Sequence, residues 1–229
     1  EGHEHHFGRM TVDNRLVNVD VFPMGIDYDK YARPEIEVFS EDDTLKIRTL
    51  AQKQKLIISI DRLDYTKGIP DRIRAYGRFL KHYPEYQGKV TLLSLVVPSR
   101  SNVDQYRELK EEVELLVGRL NGQLGSFDWT PMVYLYRSLN FDQLTTLYQV
   151  AHIAMITPLR DGMNLVAKEY VASKEDNKEG VLILSEMAGA ADELTEAIVV
   201  NPQDTEGMAE AIRTALEMNK EEQAWRLGK

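Results

Sequence analysis

Apolar residues recur along most of the chain in two alternating patterns. Short runs of mainly apolar residues predict strands at residues 56–60, 90–97, 132–136, 153–157, 181–184 and 197–200. Between them, apolar residues spaced three and four apart predict helices at residues 69–82, 103–120, 141–150, 163–174, 188–193 and 205–218. Strands buried on both faces show such continuous apolar runs, so the pattern predicts an α/β fold with a doubly wound, Rossmann-like parallel sheet.

The first part of the chain shows a weaker pattern. Alternating residues 16–22 predict one strand entering the fold, residues 23–27 predict a turn, and residues 43–54 predict a helix. We therefore expect residues 1–26 to be an N-terminal extension with an interdomain linker, and residues 27–229 to form one domain.

Composition and charge narrow the classes of function. The chain has 229 residues, 43% hydrophobic and 28% charged, which is an ordinary globular composition. It has no cysteine, so we expect a reducing, cytoplasmic location. No apolar run approaches the roughly 20 residues of a membrane span, and a net charge of -9 argues against general nucleic-acid binding. The polar start without Met or a signal peptide suggests a piece of a longer protein.

Segment 157–170, TPLRDGMNLVAKEY, is the most informative stretch, because ligands of parallel sheets bind outside the carboxyl ends of the strands. Gly162 would let the backbone approach a ligand, and residues 163–166 would offer N–H groups at a helix start. Asp161 could bind sugar hydroxyls and Glu169 a ribose diol, which suits a sugar nucleotide. In the alternative, Asp161 is an N-cap and Glu169 an exposed helix residue.

Cationic side chains follow the first two strands of the predicted sheet. Arg62 and Lys67 could converge on a pyrophosphate, the first through a bidentate fork and the second as a point charge. Alternatively, Arg62 pairs with Asp61 or Asp64 on the surface. Arg100 could contact a phosphate of an acceptor arriving from outside the domain, or be a solvated loop arginine.

Two further patterns suggest metal sites only weakly. His3, His5 and His6 lie in a polar terminus, and the D-x-D tripeptide at residues 27–29 lies far from the ligand edge of the sheet. There is neither a G-x-G-x-x-G after the first sheet strand nor a P-loop motif, so no motif indicates a nicotinamide dinucleotide site or a P-loop nucleotide site. We expect no metal and no cofactor.

Five segments together resemble one family, the trehalose-6-phosphate synthases, which are retaining glycosyltransferases of the two-domain GT-B type. These are residues 61–68 (DRLDYTKG), 118–122 (GRLNG), 129–131 (WTP), 157–170 and 185–191 (SEMAGAA). The resemblance runs from about Val21 to the C-terminus. It implies that residues 27–229 are the C-terminal nucleotide-sugar-binding domain, and that the reaction converts UDP-glucose and glucose-6-phosphate to trehalose-6-phosphate and UDP with retention.

The resemblance also implies a role for each site residue. Arg62 and Lys67 would bind the diphosphate, Arg100 the phosphate of glucose-6-phosphate, and Leu139 the uracil through its backbone. The glucosyl group would be held by Asp161, Gly162, Met163 and Asn164. The nucleotide would be held by backbone N–H groups, with Glu169 on the ribose, in the run Leu165, Val166, Ala167, Lys168 and Glu169.

The implied chemistry is stabilisation of the leaving group. No carboxylate is an obvious nucleophile for double displacement, so Arg62, Lys67 and Asp161 are the expected catalytic residues, with a helix N-terminus neutralising charge on UDP. The family's N-terminal acceptor domain is missing, so we expect donor binding without catalysis by this chain alone. A phosphatase domain after Lys229 is left open.

Two other hypotheses remain at this point. One is a catalytically silent regulatory module that binds a nucleotide, and the other is a related GT-B glycosyltransferase or epimerase with another sugar nucleotide. Intact Arg62, Lys67, Asp161 and Glu169 favour the active enzyme, because a degenerate module would be free to lose them.

Overall fold

The computed structural model of the chain describes residues 5–6, 8–34, 41–99, 103–176 and 178–229. Its strands are β1 (His5–His6), β2 (Arg9–Val12), β3 (Arg15–Asn18), β4 (Lys55–Arg62), β5 (Val90–Val97), β6 (Met132–Tyr136), β7 (Ile153–Ile156), β8 (Val181–Ser185) and β9 (Ile198–Val200). Its helices are α1 (Tyr28–Ala32), α2 (Glu41–Lys53), α3 (Ile69–His82), α4 (Asp104–Leu124), α5 (Phe141–Val150), α6 (Leu165–Ala172), α7 (Thr205–Glu217) and α8 (Lys220–Leu227).

Strands β4 to β9 form one parallel sheet in the order β6-β5-β4-β7-β8-β9. The chain builds outward from β4 to β6, then returns through α5 to β7 on the other side of β4. This return makes the gap between β4 and β7 the topological switch point, where sheets of this type bind ligands. The predicted doubly wound α/β sheet is confirmed.

Helices cover both faces of this sheet. Helices α3, α4 and α7 pack on one face, while α2, α5 and α6 pack on the other, each layer forming its own apolar core. In α3, the buried residues Ile69, Ile73, Tyr76 and Leu80 recur every three or four positions, which places them on one stripe facing the sheet. Because helices α3, α4, α5, α6 and α7 each follow a strand of this sheet, their starts lie at the carboxyl edge.

The N-terminal segment differs from its prediction. The strand predicted at residues 16–22 is instead Arg15–Asn18, all four residues exposed, in a separate three-stranded antiparallel sheet with β1 and β2. Asp13 and Asn14 turn the chain between β2 and β3 with φ of 48° and 59°, the left-handed pair typical of a two-residue hairpin. Alternation along β3 therefore does not mark a face buried against the main sheet.

Three short elements also differ. The helix predicted at residues 188–193 is a single 3-10 turn, Gly189–Asp192. Helices α1 and α8 were not predicted; α1 begins after Asp27, whose carboxylate accepts a hydrogen bond from the Lys30 N–H at 3.4 Å. Among the described residues, no helix combines the length and apolarity that crossing a membrane requires.

Candidate functional site

The loops that follow β4 and β7 are joined at the switch point. The Thr66 carbonyl accepts hydrogen bonds from the N–H groups of Leu159 at 2.7 Å and Arg160 at 3.1 Å. Gly68 has φ of 63°, and a Cβ there would lie 2.6 Å from the Thr157 carbonyl oxygen. Both the left-handed backbone and the close approach require glycine at this position. Because the two loops are hydrogen-bonded and in close contact here, they form one continuous surface.

The loop after β8 supports this surface from the other side. The Asp161 N–H donates to the Met187 carbonyl at 3.1 Å, and the Asp161 carbonyl accepts from Gly189 at 2.9 Å. The Met163 carbonyl accepts from Ala190 at 2.7 Å. A Cβ on Gly162 would meet no described atom within 4 Å, so the space beside this glycine is open.

An ion pair between Lys67 and Asp161 spans the two loops. The Lys67 Nζ lies 2.5 Å from Asp161 Oδ2, and the side chains are only 14% and 16% exposed. The carboxylate also accepts from the Met163 N–H at 3.3 Å and the Asn164 amide at 3.2 Å. The structure therefore brings together a cation and an anion that lie 94 positions apart in the chain.

Helix α6 is capped by Asn164. Its side chain accepts a hydrogen bond from the Ala167 N–H at 3.1 Å, and its φ is 74°. The alternative in which Asp161 is the N-cap is therefore wrong, and the helix begins two residues later than predicted. Since Ala167 is occupied, the N–H groups of Leu165 and Val166 are the ones at this helix start with no acceptor among the described residues.

Glu169 lies half-buried one turn into α6. Its Oε1 accepts a hydrogen bond from the Tyr31 hydroxyl at 2.9 Å, and its Oε2 accepts one from the Tyr148 hydroxyl at 2.7 Å. The alternative of an exposed helix residue is therefore wrong. The neighbouring Lys168 is engaged elsewhere, because its ammonium donates to the Met24 carbonyl at 2.9 Å and pairs with Glu193 at 2.6 Å.

Arg62 is the exposed last residue of β4. Its guanidinium has no hydrogen-bond or ion-pair partner in the described part of the chain. Asp61 instead pairs with Arg72 at 2.6 Å, and Asp64 accepts from the Tyr106 hydroxyl at 3.0 Å. The predicted alternative, a surface pair of Arg62 with Asp61 or Asp64, is wrong, and the guanidinium is available to a ligand.

Arg72 is a residue of this region that the sequence did not single out. It is 1% exposed, and besides Asp61 it donates to the Ser59 hydroxyl, to Thr157 Oγ1 at 3.0 Å and to the Lys67 carbonyl at 2.9 Å. One guanidinium therefore ties β4, the end of β7 and the Lys67 loop together. An arginine on the apolar face of a predicted helix was the signal that could have revealed it.

Two predicted site residues, Leu139 and Arg100, have no described contact with the Lys67–Asp161 pair. Leu139 follows β6 and packs partly buried against the second core, so its side chain is engaged in packing. Arg100 lies outside the described residues. A separate cleft of about 540 Å³ lies between the C-terminal halves of α3 and α4, and it contains none of the predicted site residues. Its Arg74 and Arg78 are paired with carboxylates.

Comparison with known proteins establishes the family. The model of glycosyltransferase family 20 matches residues 2–229, which is nearly the whole chain. The chain belongs to glycosyltransferase family 20. The predicted resemblance to trehalose-6-phosphate synthases is confirmed: the bifunctional trehalose-6-phosphate synthase/phosphatase of Thermoproteus tenax is 49% identical over 226 residues, covering 99% of this chain and 31% of that protein.

Solved structures of trehalose-phosphate synthases share this fold. The Burkholderia xenovorans alpha,alpha-trehalose-phosphate synthase in complex with glucose-6-phosphate superposes with a TM-score of 0.91 at 38% identity, covering 96% of this chain and 48% of that one. The E. coli protein bound with UDP-2-fluoro glucose gives 0.91 at 35% identity, covering 98% and 50%. The chain thus spans about a third to a half of the length of these relatives.

Proposed function

We propose that this family 20 chain is the donor-binding half of a UDP-forming trehalose-6-phosphate synthase. Such an enzyme transfers glucose from UDP-glucose to glucose-6-phosphate, with retention, giving trehalose-6-phosphate and UDP. The observation that carries the proposal is the meeting of Lys67, Asp161, Glu169 and the start of α6 at the switch point. That surface offers a cation, free N–H groups and two carboxylates to one ligand with phosphates and hydroxyls.

Each group has a chemical role in the proposal. Arg62 and Lys67 bind the diphosphate, and the N–H groups of Leu165 and Val166 add the positive end of a helix dipole. Together they neutralise the charge that develops on UDP as the glycosidic bond breaks, which lowers the barrier to departure. Asp161 and Glu169 accept hydrogen bonds from hydroxyls of the glucosyl group and of the ribose.

The proposal assigns smaller roles to the other predicted residues. Gly162 leaves open space in which the sugar lies beside Met163 and Asn164, and Leu139 contacts uracil through its backbone. Arg100 contacts the phosphate of the acceptor, which is otherwise held by a second domain that this chain does not contain. Glucose-6-phosphate is the ligand in the complex of the Burkholderia xenovorans synthase, which supports this sugar phosphate as the acceptor.

Replacing Arg62 by Ala tests the diphosphate assignment. Loss of a charge-assisted hydrogen bond costs about 1.5–3 kcal/mol, so the Kd for UDP should rise about tenfold to a hundredfold in calorimetry. The free energy of unfolding should not change, because Arg62 has no partner in the described part of the chain. Arg119→Ala, an exposed arginine on α4, is the matched control. Equal UDP affinity of the Arg62→Ala variant and the unmodified chain would reject the assignment.

The transfer reaction itself is tested in a protein that carries this chain together with an acceptor domain. UDP release from UDP-glucose should depend on added glucose-6-phosphate. Competition by UDP-galactose or GDP-glucose with equal potency would point instead to another sugar nucleotide. Binding of UDP without any glucose-6-phosphate-dependent release would point to a silent module.

A further inference from the structure

The carboxylate of Glu169 is held by two tyrosines from different parts of the chain. Tyr31 of α1 donates to Oε1, and Tyr148 of α5 donates to Oε2. These residues lie 138 and 21 positions from Glu169 in the chain. Since each oxygen has its own donor, rotation of the carboxylate about its last bond breaks at least one hydrogen bond.

The two donors are themselves fixed in place. Tyr148 is fully buried, and the Tyr31 ring packs edge-on against Phe141 with centroids 5.5 Å apart. The segment around α1 has two more contacts, one with the turn after α6 and one with α6 itself: the Tyr28 hydroxyl donates to Glu175 at 2.8 Å, and Lys168 donates to the carbonyl of residue 24. The direction of the Glu169 carboxylate is therefore set by three helices together.

The protonation of the two tyrosines and the lack of a cationic partner for Glu169 among the described residues indicate a role beyond packing. Burial, followed by the hydrogen bond to Glu169, raises the pKa of Tyr31 to about 12. Burial first, and then the charge of Glu169, raises the pKa of Tyr148 further. Both hydroxyls therefore stay protonated and donate. No lysine or arginine in the described ranges pairs with Glu169, so the half-buried charge is balanced by neutral donors alone.

Lone pairs remain on this carboxylate. An ionised carboxylate accepts about four hydrogen bonds, two at each oxygen, and the tyrosines account for one at each. A vicinal diol supplies two hydroxyl donors at a spacing that matches the two oxygens. The Glu169 carboxylate is half-buried, has no ion-pair partner among the described residues, and can accept one more hydrogen bond at each oxygen. The two hydroxyls of such a diol can donate these two hydrogen bonds.

We propose that Tyr31 and Tyr148 are positioning residues that aim Glu169 at the ribose diol and so set a preference for ribonucleotides over deoxyribonucleotides. The inference rests on the proposed function, in which Glu169 contacts the ribose of UDP. Because Tyr31 belongs to α1, ribose recognition then depends on α1 being docked against α5 and α6.

The test compares binding of UDP and 2′-deoxy-UDP to the full chain by calorimetry. The unmodified chain should bind UDP more tightly, and Glu169→Gln should remove most of that preference. Tyr148→Phe and Tyr31→Phe should each weaken UDP by about three- to tenfold, as for the loss of one hydrogen bond, while leaving 2′-deoxy-UDP within about twofold. Tyr86→Phe, whose hydroxyl donates to Glu217 of α7 on the other face of the sheet, is the matched control and should change neither ligand.

The possible outcomes distinguish failure of the role of the tyrosines from failure of the proposed contact between Glu169 and the ribose. A merely structural role of the tyrosines would weaken both nucleotides by the same factor, and that result, or no change at all, overturns the inference. If the unmodified chain shows no preference, or Glu169→Gln keeps it, the ribose assignment of Glu169 itself fails. If the Tyr148→Phe variant does not fold, the Tyr31→Phe variant, which changes a half-buried tyrosine, tests the inference by itself.

Discussion

Replacing Asp161 by Asn separates the two ligands that the site is proposed to hold. The Lys67 ammonium lies 2.5 Å from the Asp161 carboxylate, so an incoming diphosphate must share or displace that partner. Both side chains are more than four-fifths buried, which limits screening of the charges by water. The substitution keeps the size of the side chain and removes one negative charge beside the diphosphate.

The magnitude follows from this geometry. Two oxyanions that share one ammonium, each at about 2.8 Å, lie about 5 Å apart. At an effective dielectric constant of about 20 their repulsion is on the order of 3 kcal/mol per unit charge. Since rearrangement and counterions relieve part of it, we expect Asp161→Asn to tighten UDP binding by about tenfold, or about 1.4 kcal/mol.

UDP-glucose should respond differently, because it also loses hydrogen bonds from glucosyl hydroxyls to a charged acceptor. That loss is worth about 1.5–3 kcal/mol, so the ratio of the Kd for UDP-glucose to the Kd for UDP should rise about tenfold to a hundredfold. The ratio is the decisive quantity, since most of the change in repulsion is common to the two diphosphates. Calorimetric titration of both ligands into both proteins measures it.

Asp128→Asn is the matched control, because it makes the same charge change in the exposed turn that precedes β6, at the opposite edge of the sheet. It should leave the ratio unchanged. An equal change for UDP and UDP-glucose in Asp161→Asn would show that this carboxylate does not contact the sugar. Weaker UDP binding would show that Asp161 orients Lys67 for the diphosphate rather than competing with it.

Two further predictions concern stability and are measured by urea unfolding. Gly68→Ala should lower the free energy of unfolding by about 1–3 kcal/mol, because its φ of 63° and its 2.6 Å approach to the Thr157 carbonyl exclude a Cβ. Gly118→Ala, inside α4 with open space around it, should instead raise it by about 0.5–1 kcal/mol; equal effects would contradict the steric argument. Burial lowers the pKa of His152 from 6.5 to about 4, and its Nδ1 accepts from the Leu56 N–H at 3.1 Å. The unfolded chain therefore binds the proton first, and the full shift corresponds to about 3 kcal/mol. Because the ring is partly exposed and screened by water, we expect stability to fall by on the order of 1–2 kcal/mol as the pH drops from about 6.5 to 4, and His152→Gln should remove that component. An unchanged pH profile in the variant would refute it.

Local patterns were enough for the main sheet. All six of its strands were predicted. The four inner strands, β4, β5, β7 and β8, are buried at nearly every position, and such strands are mainly apolar. Helix ends and small exposed elements were less well predicted. In β3 every residue is exposed, so no buried face constrains its pattern, and the start of α6 depends on the left-handed conformation of Asn164. Such features depend on neighbours in space or on single backbone angles.

The candidate site shows the same division. Arg62, Lys67, Asp161 and Glu169 could be selected from sequence, because each follows a strand end or opens a helix, and parallel strands place their carboxyl ends at one edge. The alternatives for three of them could not be decided there. A surface pair, an N-cap and an exposed acid are equally compatible with local sequence, and only the observed partners exclude them.

By itself, then, the sequence determined the fold class, the edge of the sheet at which we propose that the ligand binds, and the family. These follow from periodicity and from motifs, which are local along the chain. The tertiary structure alone decided that Lys67 meets Asp161, that buried Arg72 joins two loops, and that two tyrosines hold Glu169. These contacts join residues that the chain order keeps far apart, and only packing of the helices on the sheet sets their distances.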